Sequence, residues 1–159
     1  MDPETAALLF GLGRAQGATL ETHQVREAMI TSLSRAFDYY AEVGEVERAV
    51  AIAEYPFPML TGHSTGLAQL ILRALALVPP DSHEAGRLLS RHARVLVIEE
   101  GDYDAAQGAF GRALAIARRE VDEALEMRSL TNIAEPDLHY LRLQGSLVKT
   151  LRAAELARL

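Results

Sequence analysis

Apolar residues recur along the chain at the three- and four-residue spacings of amphipathic helices, and Val and Ile fall within these patterns rather than in strand-like alternation. The pattern predicts eight helices in four consecutive pairs. Their predicted ranges are 3–16 and 23–42, about 45–54 and 65–78, about 82–100 and 103–119, and about 120–134 and 137–158. Each pair has the form of a helical hairpin, so the predicted fold class is all-α.

Capping and helix-breaking residues set the predicted boundaries. Asp2 and Asp102 each stand where an N-cap is expected, and Gly44 stands where a helix is expected to stop. The segment 55–64, YPFPMLTGHS, holds two prolines and a glycine and is predicted to be a loop. Pro136 is predicted to divide the two helices of the fourth pair, because proline disrupts a helix interior.

An Arg-Ala dipeptide returns late in the second helix of every pair, at spacings of 38, 39 and 40 residues. We interpret the alanine as the small residue at a helix crossing, with the arginine directed outward. The residue two positions earlier is apolar in three of the four pairs. One hairpin cannot bury its own apolar face, so the recurrence predicts an α-solenoid of four hairpins in a single domain, 1–159. The pairs are Arg35-Ala36, Arg73-Ala74, Arg112-Ala113 and Arg152-Ala153, preceded by Leu33, Ile71, Phe110 and Thr150.

Composition narrows the functional classes. Hydrophobic residues make up 49% of the chain, and the formal net charge is −6, so neither a disordered tail nor a basic nucleic-acid surface is expected. Cysteine is absent, which excludes disulfides and fits a reducing compartment. The start of the chain lacks the pattern of a signal peptide, and no apolar run approaches the length of a membrane span. The expected location is the cytoplasm, without membrane or direct nucleic-acid binding.

Motifs for catalysis are not found in the sequence. There is no phosphate-binding Gly-rich loop ending in Lys, and no serine stands in a nucleophile turn. The five histidines are nowhere three or four residues apart, so no helix face offers paired imidazole ligands. The EEGDYD segment, 99–104, is predicted to be a turn rather than a calcium loop. We therefore expect no enzyme, no metal and no cofactor.

Polar residues on the first helices of the later pairs are candidates for binding. Arg87, Arg91 and Arg94 share one face of the fifth predicted helix, at i, i+4 and i+7. In one interpretation this face is solvated and balanced by acidic residues of neighbouring turns, Glu99, Glu100 and Glu123. In the other it lines a cationic groove for an acidic peptide or an anionic effector. The candidates that complete the groove are Arg128, Asn132 and Glu135.

Aromatic residues cluster around the proline-rich loop and allow two interpretations. Phe37, Tyr39, Tyr40, Tyr55 and Phe57 either pack in the core and at its rim or expose an anchor for a bound segment. Tyr40 and Tyr55 are the candidates for partner contact. His63, in the same loop, is a further residue of interest.

The third unit resembles a tetratricopeptide repeat. Gly101, Ala106, Phe110 and Ala113 match that family's turn glycine and the Ala, aromatic and Ala positions of its second helix. In the first unit the segment LFGLGRAQ matches the family's first-helix signature, with Gln16 in place of the aromatic residue. The units are longer than the family's usual length of about 34 residues. The resemblance implies a right-handed solenoid.

The whole chain is also similar to the helical-repeat region of large LuxR-type, maltose-activator-like bacterial regulators. The segments that carry this likeness include FDYYAEVGEVERAVAIAEYP, 37–56, and EEGDYDAAQGAFGRALAIARR, 99–119. The resemblance implies a fragment of a transcriptional regulator that senses a signal by binding a peptide or partner segment, or another domain of its parent, in a concave groove. The alternative is a domain that senses a small anionic or sugar effector. A homodimer is possible in either case.

Overall fold

The computed structural model describes residues 1–19, 23–56 and 65–158. These residues form eight α-helices and one short π-helical segment, and they contain no β-strand. None of the described helices combines the length and apolar character needed to cross a membrane. The α-helices are α1 (Pro3–Ala18), α2 (His23–Glu42), α3 (Val46–Glu54), α4 (Leu67–Leu75), α5 (His83–Val95), α6 (Tyr103–Arg119), α7 (Glu123–His139) and α8 (Leu143–Leu156).

Helices that follow one another in the chain also pack against one another. The closest pairs are α1 with α2, α5 with α6, and α7 with α8. Each of α2, α4 and α6 also contacts the helix that comes next, and α5 contacts both α3 and α7. The hydrophobic core is a series of clusters of buried side chains, which follow one another along the chain from α1 to α8.

The four alanines of the recurring dipeptide are buried, as the sequence predicts. Ala36, Ala74 and Ala113 have no exposed surface, and Ala153 is 7% exposed. The apolar residues two positions before the arginines, Leu33, Ile71 and Phe110, are buried as well, whereas Thr150 is exposed. The small residue therefore does occupy the packed face of the second helix in every pair.

The four arginines of the dipeptide are exposed, but three of them also make polar contacts outside their own helix. Arg73 pairs with Asp38 and lies over the Phe37 ring, with the guanidinium carbon 4.7 Å from its centre. Arg112 donates to the Pro80 carbonyl over 3.5 Å, and Arg152 lies 3.9 Å from Glu126. The outward direction is confirmed, and the heads of Arg73 and Arg152 additionally reach acidic residues of other helices.

Capping residues act as predicted at the described helix ends. The Asp2 and Asp102 carboxylates accept hydrogen bonds from the amides of Thr5 and Ala105, at 2.8 and 3.0 Å. Gly44 ends α2 with a φ of 78°, in the left-handed region that suits glycine. The predicted fourth helix is shorter than expected and ends at Leu75, four residues before Pro79.

The prediction that Pro136 separates the last two helices is wrong. Pro136 lies inside α7, which continues to His139. Asp137, the next residue, is fully buried and accepts hydrogen bonds from the Tyr103 hydroxyl and the Lys149 ammonium group. These tertiary contacts hold the turn after Pro136 in helical form, and they outweigh the loss of one backbone hydrogen bond to the proline.

The predicted helix 82–100 is helical throughout but changes type near its end. After Val95 the backbone forms a π-helical segment, Leu96–Glu100, which stops at Gly101 with a φ of 71°. A π-helical turn holds more residues than an α-helical turn and therefore rotates the side chains that follow. Val97 and Glu99 consequently face inward, while Glu100 remains exposed.

Candidate functional site

The three arginines of α5 have different partners. Arg87 Nε donates to Glu54 Oε1 of α3 over 2.6 Å, and this hydrogen bond raises the pKa of Arg87. Arg94 donates to Glu135 Oε2 of α7 over 2.9 and 3.3 Å. The acidic partners are therefore Glu54 and Glu135, rather than the expected Glu99, Glu100 and Glu123. The arginine face bridges three helices instead of lying free in solvent.

Arg91 lies between these two ion pairs and has no hydrogen-bond or ion-pair partner among the described residues. Its Nε and Nη2 atoms are buried and make no hydrogen bond within the described part of the chain. Burial lowers the pKa of Arg91 to about 10, with a smaller contribution from the positive charge of Arg94. The guanidinium nevertheless remains protonated at neutral pH. It is a desolvated cation with free donors, which is an unfavourable state unless an anion binds there.

A cavity of about 340 Å³ adjoins this arginine face. α7 contributes Arg128, which is exposed and has no ion pair among the described residues, and Asn132, whose amide donates to Ser90 Oγ over 3.1 Å. The sequence candidates thus come together from two helices that are about 40 positions apart. The lining residues are Glu54, Pro56, Arg87, Arg91, Arg94, Arg128 and Asn132.

The remaining sequence candidates lie elsewhere. Glu135 lies on the same face of α7 as Arg128, two turns further along, and lines a neighbouring cavity. Tyr40 is 4% exposed in the core, and its ring lies 5.4 Å from the guanidinium carbon of Arg48. Tyr55 packs edge-on against Phe10 with the ring centres 5.8 Å apart. The structure does not bring either tyrosine into the arginine cavity, and Phe57 and His63 lie outside the described residues.

A second cavity, of about 570 Å³, was not foreseen from the sequence because it depends on the π-helical segment. It is formed by that segment and the end of α7, and the Arg94–Glu135 pair separates it from the first cavity. Its buried carboxylate, Glu99, already accepts hydrogen bonds of 2.9 to 3.0 Å from the Thr65 amide and hydroxyl. Burial raises the pKa of Glu99 despite these bonds. Since Glu99 and Glu135 both have partners, this cavity offers less unsatisfied charge than the arginine cavity.

The described residues contain no group of three or more His, Cys, Asp or Glu side chains arranged to hold a metal ion. The chemistry of the arginine cavity is that of anion recognition. Guanidinium groups donate pairs of parallel hydrogen bonds that fit a carboxylate or a phosphate. Comparison of the chain with protein-family models, with curated proteins and with solved structures gives no match.

Proposed function

We propose that the chain is a protein-binding module that captures a carboxylate of a partner segment in the arginine cavity. The observation that carries this proposal is Arg91, a largely buried guanidinium with two donors that have no partner in the described part of the chain, at the same cavity as Arg128. An acidic side chain or a chain terminus entering the cavity would place a negative charge beside both arginines. Such charge-assisted hydrogen bonds are each worth about 1.5–3 kcal/mol, enough to orient a bound segment.

The proposed architecture is a right-handed solenoid of four hairpins, with α1, α3, α5 and α7 on its inner side. The order of helix packing supports this, since α5 contacts α3 and α7 as first helices of adjacent hairpins should. The arginine cavity would then open onto the concave face, where a peptide can lie along several units.

The biological setting that we propose follows the resemblance to the repeat region of LuxR-type regulators. In that setting the module works in the cytoplasm, where binding of a segment or of another domain is passed on to transcription. The resemblance of the segments 37–56 and 99–119 is the support for this part of the proposal. Binding, rather than turnover, would be its contribution.

Calorimetric titration with an acetylated peptide of alternating Glu and Ala residues tests the proposal. We expect binding that weakens as salt is added, because exposed charges are screened. Arg91→Gln and Arg128→Gln should each weaken binding by about tenfold or more, the equivalent of one charge-assisted hydrogen bond. The matched control is Arg112→Gln, which removes an exposed arginine of α6 that lies outside the cavity.

Stability of the free chain provides a second readout. Arg91→Met removes a buried, unpartnered charge, so we expect the free energy of unfolding to stay unchanged or to rise by up to about 2 kcal/mol. Loss of binding without loss of stability would identify Arg91 as a recognition group. Peptide affinity equal to that of the wild type in both glutamine variants would refute the proposed site.

A second candidate function is recognition of a small anionic effector. The cavity volume of about 340 Å³ favours it, since this lies within the range of small-molecule pockets, about 300–1,000 Å³. Succinate is a suitable probe, because it carries two carboxylates without a peptide backbone. Succinate that raises the melting temperature with increasing concentration, together with no binding of the Glu-Ala peptide, would favour this candidate over the first.

A further inference from the structure

The last helix, α8, is apolar on two opposite sides. One side packs against α7 through Ala153 and Leu156, which are 7% and 6% exposed. On the other side Leu143, Leu147 and Leu151 follow one another at i, i+4 and i+8 and are 57–58% exposed. This outer face of α8 also includes Val148 and Ala154. A helix that is apolar on both sides normally has a neighbour on both sides.

The first helix, α1, also has an apolar outer face. Its inner side packs against α2 through Ala6, Gly13 and Gly17, which are buried. On the opposite side Leu8 and Leu12 are 67% and 49% exposed. On the same side of α1, Ala7, Gly11 and Ala15 are small and exposed. This outer face of α1 comprises Ala7, Leu8, Gly11, Leu12 and Ala15.

The two outer faces are complementary in charge. Glu4 is exposed at the beginning of the α1 face, and Arg158 is exposed just after the end of α8. Neither has an ion-pair partner among the described residues. In an antiparallel arrangement of the two helices, the acidic start of α1 therefore lies beside the basic end of α8.

The same antiparallel alignment is complementary in shape. When Glu4 is level with Arg158, Leu151 is level with Gly11 and Leu147 is level with Ala15, because the intervals along the two helices are equal. Leu8 is then level with Ala154. At each of these positions a leucine meets a residue with a single methyl group or none, which lets two helices approach closely.

We propose that the outer face of α8 binds the outer face of α1 from a second copy of the chain, with the two helices antiparallel. Each copy has one face of each kind, and the two faces are different. The contact is therefore heterologous, so it leaves a free α1 face at one end and a free α8 face at the other. Copies add head to tail, and the assembly grows with concentration instead of stopping at a dimer.

Sedimentation equilibrium over a range of concentrations tests this contact. The wild type should show an average mass that rises from that of one chain, 17.4 kDa, to more than twice this value. Leu8→Glu blocks the α1 face and Leu147→Glu blocks the α8 face, and each variant alone should keep the mass of one chain. An equimolar mixture of the two should reach the mass of two chains and no more, because only one intact contact is available.

Controls separate this contact from general effects of the substitutions. Leu72→Glu changes a leucine of α4 that is 42% exposed outside both faces, and it should associate like the wild type. Far-ultraviolet circular dichroism establishes that each variant is folded. The register is tested by Glu4→Arg and Arg158→Glu, each of which should associate less than the wild type, while their mixture regains association.

Two results would overturn the proposal. A wild type that keeps the mass of one chain at every concentration would exclude the contact. Association of Leu8→Glu to the same extent as the wild type would show that α8 pairs with α8 instead. Peptide binding by the arginine cavity does not depend on either result, because none of these substitutions alters a residue that lines it.

Discussion

Ala113 shows at the scale of one residue why the small side chain recurs. It has no exposed surface and packs in a cluster with Ala85, Leu89 and Ile116. The neighbouring Arg112 is exposed and makes only a long contact, of 3.5 Å, with the Pro80 carbonyl. Two adjacent residues of the same dipeptide therefore have very different surroundings.

Substitution of these two neighbours should give unequal effects. We expect Ala113→Leu to lower the free energy of unfolding by about 1–3 kcal/mol, because the added methyl groups have no space. Arg112→Ala should lower it by less than about 1 kcal/mol, since its polar contacts are exposed. Urea denaturation of both variants measures the difference. Equal losses would contradict the assigned roles of the dipeptide.

His92 couples stability to pH. It is 9% exposed, and its Nε2 atom has no hydrogen-bond partner within the described residues. Burial lowers the pKa of His92 below the usual 6.5. As the pH falls below 6.5, the unfolded chain takes up a proton that the folded chain does not, so the stability of the fold should decrease.

The variant His92→Leu tests this coupling. Its free energy of unfolding should fall less than that of the wild type when the pH is lowered from 7.5 through 6.5 towards 5. Other groups titrate in both proteins, and the comparison removes their contribution. If the free energy of unfolding falls equally with pH in the two proteins, His92 can be protonated in the folded state without loss of stability.

Residue patterns in the sequence were sufficient to predict part of the candidate site. The i, i+4, i+7 spacing of Arg87, Arg91 and Arg94 correctly indicated one helix face. The spacing could not show that Glu54 and Glu135 neutralise two of the three, because these carboxylates are 33 and 41 residues away from their partners. Which arginine is left unpartnered depends on tertiary packing, and no local pattern encodes that.

At the scale of the element, two turns between helices adopt an unfavourable backbone conformation. Val121 and Leu141 have φ values of 55° and 57°, in the left-handed region, and both are 80% exposed. Each follows a helix whose last carbonyls accept from the next residues, as in a Schellman motif. Gly44 occupies the same position after α2 with a φ of 78°, and there the residue type fits the conformation.

Glycine in place of Val121 should therefore stabilise the turn after α6, because glycine adopts the left-handed conformation without strain. We expect Val121→Gly to raise the free energy of unfolding by about 1 kcal/mol, because it removes the clash of a branched side chain in this region. Gly44→Ala, the reverse change in the equivalent turn, should lower the free energy by about 1 kcal/mol. Chemical denaturation measures both changes. A destabilised Val121→Gly variant would mean that the side chain makes contacts that outweigh the strain.

Element boundaries were predictable where a local signal decides them. The caps Asp2 and Asp102 and the stop at Gly44 are local, and the structure has all three. Pro136 gave a misleading signal, because buried contacts of Asp137 keep the helix intact beyond it. The π-helical segment Leu96–Glu100 has no local signature either, and the inward position of Val97 and Glu99 that accompanies it could not be read from the sequence.

At the scale of the whole molecule, the packing of successive helices leads to an expectation about shape. A compact protein of 159 residues has a radius of gyration of about 15 Å. A solenoid of four hairpins is longer in one direction, so small-angle scattering should give a clearly larger value. The measurement requires the Leu147→Glu variant, because association of the wild type would also increase the radius. A value near 15 Å for this variant would contradict the solenoid.

Lys149 gives the molecule an unusual chemical property. It is the only lysine of the chain, and its ammonium group pairs with the fully buried Asp137 at the contact between α7 and α8. Acylating reagents need an accessible amine, and this side chain is only 26% exposed and held in the ion pair, so it should be modified slowly while the two helices remain together. The rate of acylation at this single position, followed by peptide mass spectrometry, would thus report how often the last helix detaches from its neighbour.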